Sequence, residues 1–297
     1  MRKSIGLTAV ALLATGLTSF LAPSTARAAT AYALTDNNFL LKFDTASPTV
    51  LSGVGPILNA SNNAVQDLIG IDFRTVNGQL YAVGAGLALY TIDPNTAVAT
   101  QVGTLSASGT DLSNPFTGFS GSRFGFDFEP VSDGANFFAL RITSNAGQNV
   151  RVNIADGAVI TDAPFAAGLT GVAHNPPTPG PLGAYAIDPV SDQLVLITGA
   201  GTFTNVGPLG IDVAALGGFD TVTNGSTNFA YAALQEASLG VSRFYTINLA
   251  TGAATLVGTI DGGELMDGLA VVIPEPTSLA LVGVGALSLL SRRRRSR

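Results

Sequence analysis

Three aspartates share one setting in this chain. Asp72 lies in Gly70-Ile71-Asp72-Phe73, Asp127 in Gly125-Phe126-Asp127-Phe128 and Asp220 in Gly218-Phe219-Asp220-Thr221. Side chains alternate along an extended strand, so Gly70, Asp72 and Arg74 share one face and Ile71 and Phe73 the other; Glu129 shares the face of Asp127. If these strands line a common channel, their carboxylates suit a hard cation such as calcium, which takes oxygen ligands. A residue that recurs once per repeat also serves the repeat, which makes each aspartate a hydrogen-bonded brace for its own unit, additive in stability and indifferent to calcium. Asp127 and Glu129 admit acid–base chemistry as well, because residues i and i+2 on a strand lie about 6.5–7 Å apart, a spacing that suits paired-carboxylate hydrolysis. Pro130 follows Glu129 and puts it at a strand end, without the sheltered surroundings a catalytic acid needs. A non-catalytic binding or structural protein is therefore the first expectation, and a secreted hydrolase or lyase using channel carboxylates the second.

Other chemistries have little to stand on. There is one histidine, His174, and no cysteine, which excludes a soft zinc or copper site and any disulfide framework. No nucleophile elbow, metalloprotease helix or phosphate loop occurs. His174 lies in a stretch reading VAHNPP with no partner motif, and is read as a structural or surface residue.

The elements that must carry the aspartates come from a repeat. Residues 68–105 and 216–260 both run Gly-apolar-Asp, polar turn, an apolar segment holding Tyr-Ala, a second turn, Tyr-Thr-Ile-Asp/Asn, a third turn and Ala-Thr-x-Val-Gly-Thr. Short runs rich in β-branched and aromatic residues, separated by Gly, Asn, Asp and Pro, are strands and turns, four strands to a unit. Residues 124–165 and 169–210 are weaker copies, the latter with Ala173 in the aspartate position. Residues 31–57 hold three strands, and "MDGLAVVI" at 266–273 supplies the fourth. Four-stranded units of this length, closed by a terminal strand, predict an all-β fold: a β-propeller of about five blades, six if residues 106–123 or 205–215 hold further strands. A β-sandwich or β-solenoid is the competing architecture. Asp44, Asp93, Asp156, Asp188 and Asn248 fall at turns, where their side chains accept backbone N–H groups. Tyr81, Tyr90, Tyr185, Tyr231 and Tyr245 recur within strands as packing residues.

The two ends differ from the middle. Arg2 and Lys3, an apolar run from Ile5 to about Leu21 and Ala26-Arg27-Ala28 form a secretory signal, residues 1–28, with signal peptidase cutting between Ala28 and Ala29. The single domain then spans 29–273, with 6 of the 14 basic and 19 of the 20 acidic residues, a net charge of −13. Such a surface repels nucleic acid and anionic lipid and suits divalent cations. From Ser278 to Leu290 the tail is apolar but for serines, roughly 20 Å as a helix and short for a bilayer core of about 30 Å. Arginines 292–295 and Arg297 stay on the cytoplasmic side, so the tail reads as a temporary inner-membrane anchor.

Pro274-Glu275-Pro276, the short apolar segment and the arginine cluster, together residues 274–297, resemble the PEP-CTERM sorting signal. The resemblance implies processing by an exosortase, release to the periplasm, outer surface or extracellular space, and association with the matrix, where extracellular polysaccharide is the candidate partner. The middle of the chain, through "GIDFR", "NGQLYAVG", "FGFDFEPVSD", "YAIDPVSDQL" and "YTINLATGAATLVG", resembles an uncharacterised family of exported bacterial proteins and implies one domain without a known activity.

Overall fold

In the computed structural model the described residues are 29–65, 67–129, 139–174, 183–224, 227–261 and 263–273. They form five small antiparallel sheets in a ring, the blades of a β-propeller. From the centre outward, blade 1 is Met266–Val272, Thr30–Thr35, Phe39–Asp44 and Ser47–Pro56. Blade 2 is Leu68–Arg74, Gln79–Gly84, Ala88–Ile92 and Val98–Thr104. Blade 3 is Phe124–Phe128, Leu140–Ser144, Asn149–Val152 and Ala158–Thr161. Blade 4 is Thr170–His174, Ala184–Asp188, Gln193–Gly199 and Thr202–Pro208, and blade 5 is Val213–Asn224, Thr227–Glu236, Val241–Ile247 and Ala254–Thr259.

The blade number is five, and neither a sandwich nor a solenoid forms. Residues 106–123 add no blade. Ser106–Ala107 instead pairs in parallel with the outer strand of blade 3, and Leu58–Asn59 does the same for blade 2. Each segment straps the blade that follows it. Closure is as the repeat implies: the last strand pairs antiparallel with the first, Thr30 opposite Val272 and Ala31 opposite Val271.

Position in the blade explains composition. Inner strands are covered on both faces by neighbouring blades and read as apolar runs, Leu68–Ile71 being buried throughout. Outer strands face water and carry Thr, Gln and Ser; in Val98–Thr104 only Ala99 is buried. The apolar clusters lie between blades, as where Phe43 of blade 1 meets Phe244 of blade 5 edge-on at 5.2 Å.

Glycine sets how closely the inner strands approach. Gly70, Gly125, Gly171, Gly218 and Gly268 hold equivalent places, and each faces the inner strand of the next blade. A Cβ on Gly218 would lie 2.3 Å from the Leu269 nitrogen, and one on Gly125 2.6 Å from the Val172 nitrogen. These neighbours are backbone and cannot rotate away, so the ring closes at this diameter only with hydrogen at those positions.

Two expectations follow. Gly218→Ala is expected to destabilise by about 1–3 kcal/mol, a fall in melting temperature of roughly 2–10 °C at this size, while Gly86→Ala, in open space, leaves it unchanged. Removing 266–273 exposes the edge of Thr30–Thr35 and is expected to cause aggregation in light scattering, whereas a chain ending at Ile273 folds normally.

Candidate functional site

An inner strand has a sheet partner on one side only. Its N–H groups on the other side point into the channel and must find acceptors there. The residue after each Gly-apolar-X triplet presents such a group: Phe73, Phe128, His174, Thr221 and Val271. Asp72 accepts from Phe73 at 2.6 Å through Oδ1 and from Phe128 of blade 3 at 2.7 Å through Oδ2. Asp127 accepts from His174 of blade 4 at 2.8 Å through Oδ2. Asp220 accepts from Thr221 at 2.6 Å through Oδ1 and from Val271 of blade 1 at 2.5 Å through Oδ2. Three carboxylates thus satisfy all five groups. All three aspartates brace across the gap to the next blade, and Asp72 and Asp220 also brace their own strands, the part of the arrangement the sequence suggested. Blade 4 has Ala173 in place of an aspartate, and its link to blade 5 is the Thr221 hydroxyl, which donates to the His174 carbonyl at 2.5 Å.

The same contacts bring the carboxylates together. Asp72, Asp127 and Asp220 are buried, and one ligand oxygen from each lies within 4.8 Å of the others. Burial pushes the Asp72 carboxyl well above the usual range, and the charges of Asp220 and Asp127 push it further. Burial likewise raises Asp220, with Asp127 adding to the effect. Asp127 is raised by burial against the opposing pull of the His174 N–H. They form the floor of a cavity of about 550 Å³ at the C-terminal ends of the inner strands, walled by Phe73, Phe128, Val222 and Val272.

His174 belongs to this site. Its Nδ1 lies 2.5 Å from Asp127 Oδ2, and its side chain is 4% exposed. Burial, then the nearby Arg141 charge, lowers its pKa to about 3, so the ring is uncharged at neutral pH. Asp127 Oδ1 accepts no hydrogen bond among the described residues. Sequence reasoning left His174 aside for want of a partner motif, though its place after Gly171-Val172-Ala173 matches that of Phe73 and Thr221. Glu129 ends its strand half-buried, with its backbone N–H bonded to the Ala139 carbonyl, while Asp127 is committed to His174. Arg74 lines the cavity.

At the other mouth, Asp36, Asp67, Asp267 and Arg123 line a second cavity of about 340 Å³. Arg123 Nη1 lies 3.2 Å from Asp267 Oδ1. Burial outweighs the guanidinium and raises Asp267 to about 6, with Asp36 assisting. Of the processing residues, Ala29 is buried at the start of the described chain; Ala28, Pro274, Glu275 and Pro276, the signal segment and the apolar tail lie outside the described residues. Among those described, no helix is long and apolar enough to cross a membrane.

Fold and site together define a five-bladed β-propeller with a buried acidic cluster in its channel. Residues 39–270 match the family described as Domain of unknown function (DUF4394), and the chain belongs to it. Residues 272–295 match the PEP-CTERM protein-sorting motif, which makes this an exported, envelope-associated protein sorted by an exosortase. Among curated proteins none matches. Similar solved structures include an auxiliary nutrient binding protein from Bacteroides thetaiotaomicron, at 12% identity and a TM-score of 0.37 over 67% of this chain and 55% of that one. Another is the dihydro-heme d1 dehydrogenase NirN in complex with DHE, at 10% identity and a TM-score of 0.34 over 77% of this chain and 43% of that one. The chain thus spans about half the length of each, and likeness at this level carries no functional argument.

The raised carboxyls set a pH dependence. An acid whose folded pKa exceeds its unfolded one stabilises the fold while protonated, and that contribution is lost as pH rises through the folded value. In chelator, melting temperature is therefore expected to fall as pH rises from about 4 to about 8. Asp267→Asn is expected to remove its own share of that fall, between the ordinary value of 3.8 and about 6, and Asp72→Asn to make the whole fall shallower. Melting curves across this range check both, and a steady rise with pH would contradict the assignment.

Proposed function

We propose that the protein is a non-catalytic binding or structural module of the cell envelope or extracellular matrix, and that its channel holds a hard divalent cation of the calcium class on Asp72, Asp127 and Asp220. The observation that carries this is the convergence of three buried carboxylates, with Asp127 Oδ1 accepting no hydrogen bond among the described residues. One oxygen from each lies within 4.8 Å of the others, close enough for a single ion with calcium–oxygen distances of about 2.3–2.6 Å to touch all three. Three carboxylates this close oppose one another's ionisation, and a cation would relieve the repulsion that protons otherwise relieve. Before sorting, residues 1–28 direct export and are removed by signal peptidase, and the apolar tail holds the protein transiently in the inner membrane. The partner is extracellular polysaccharide; a net charge of −13 over residues 29–273 favours acidic polysaccharide only through bridging cations.

Melting temperature in a calcium titration tests the cation site. A rise is expected in the parent, larger at pH 8 than at pH 6 because protons and calcium compete for the same oxygens. Each of Asp72→Asn, Asp127→Asn and Asp220→Asn is expected to abolish most of it, with second and third substitutions adding little. If calcium has no effect on the parent and the three losses simply add, the aspartates are braces and nothing more.

A further inference from the structure

The face on which the main cavity opens is also the face from which the sorting tail departs. The five inner strands run in the same direction, since the bonds from Asp72 to Phe128, Asp127 to His174 and Asp220 to Val271 each link the same level of one blade to the next. Their C-terminal ends therefore lie on one side of the ring, where Thr75, Thr223 and Ile273 line the cavity. Ile273 follows the closing strand directly, the sorting motif covers 272–295, and the apolar run begins at Ser278.

That leaves five Cα steps between the cavity and the start of the apolar segment, at most about 18 Å. The headgroup layer, roughly 5–8 Å deep on each side, takes up part of it. A domain of this size has a radius of gyration near 18 Å and a physical radius somewhat larger. The tether is thus too short for the propeller to turn its cavity face away from the bilayer. The rim that meets the membrane includes Val222, Val272 and Ile273, while the mouth holding Arg123 and Asp267 points to the far side.

We infer that, while the tail is in the membrane, the channel mouth is held facing the bilayer, and that removal of the tail frees it. This rests on the anchoring role given to the tail above. Ions reach the carboxylates in both forms, but a macromolecular ligand reaches the cavity only in the sorted form.

The absence of cysteine makes a direct test available. Single cysteines are introduced as Thr75→Cys and Thr223→Cys at the mouth and Ser122→Cys at the opposite one, all at exposed positions. Each chain, spanning residues 29–297 so that the tail is its apolar anchor, is reconstituted into phosphatidylethanolamine–phosphatidylglycerol vesicles and labelled with a polyethylene-glycol maleimide, alongside the same variant spanning 29–273 in solution. Relative to Ser122→Cys in the same preparation, the two mouth cysteines are expected to react several-fold more slowly on vesicles than in the shortened chain, where all three react alike. Chains that float with the vesicles but label equally at both mouths overturn the orientation alone. Chains that fail to float overturn the anchoring role and the orientation with it. Neither outcome bears on the calcium titration, so the cation site stands or falls separately.

Discussion

The five channel-facing N–H groups of the inner strands constrain the rest of this structure. Each inner strand lacks a sheet partner on its inward side, and a buried N–H without an acceptor costs about 1–3 kcal/mol. Five of them would rival the whole stability of an ordinary domain, about 5–15 kcal/mol. Acceptors must therefore stand in the channel, and the glycines that let the strands approach leave no room for long side chains. Aspartate on the strand itself meets both demands: its short arm reaches the next blade's backbone, and its second oxygen is free to accept from its own strand, as Asp72 and Asp220 do. Ring closure and acid clustering are consequences of one solution. The repulsion it creates has to be met by protons or by a cation, so the stability problem and the candidate function share the same three side chains.

Much of this was legible in the sequence because it is periodic. Gly-apolar-Asp at 70–72, 125–127 and 218–220 marked inner strands, the turns between them gave four strands per blade, and the three-stranded unit at 31–57 called for a closing strand at 266–273. What was hidden depends on closure in three dimensions. The convergence of Asp72, Asp127 and Asp220 follows from the ring's diameter, which glycine contacts between blades determine. Each aspartate also has a partner about 50 residues away in the next blade, which a local pattern cannot show. Ala173 breaks the motif that would mark His174 as the equivalent of Phe128. The straps Leu58–Asn59 and Ser106–Ala107 are too short to leave any periodic trace.

The number of aspartates also has a reason. Blades 2, 3 and 5 carry one, and blades 4 and 1 have Ala173 and Ala270 in its place. Three carboxylates offer six oxygens to five backbone N–H groups. Asp72 and Asp220 each use both oxygens, while Asp127 takes the His174 N–H and ring nitrogen on Oδ2 alone. Fewer acids would leave inner-strand donors unsatisfied. A fourth or fifth would add charge to a crowded channel with no further donor of this set to accept from, and repulsion of that kind is what raises these carboxyls already. The set in place is thus the smallest that gives each of the five donors its own oxygen, and it leaves one over. That remaining oxygen, Asp127 Oδ1, accepts no hydrogen bond among the described residues, and it belongs to one of the three buried carboxylates that converge in the channel.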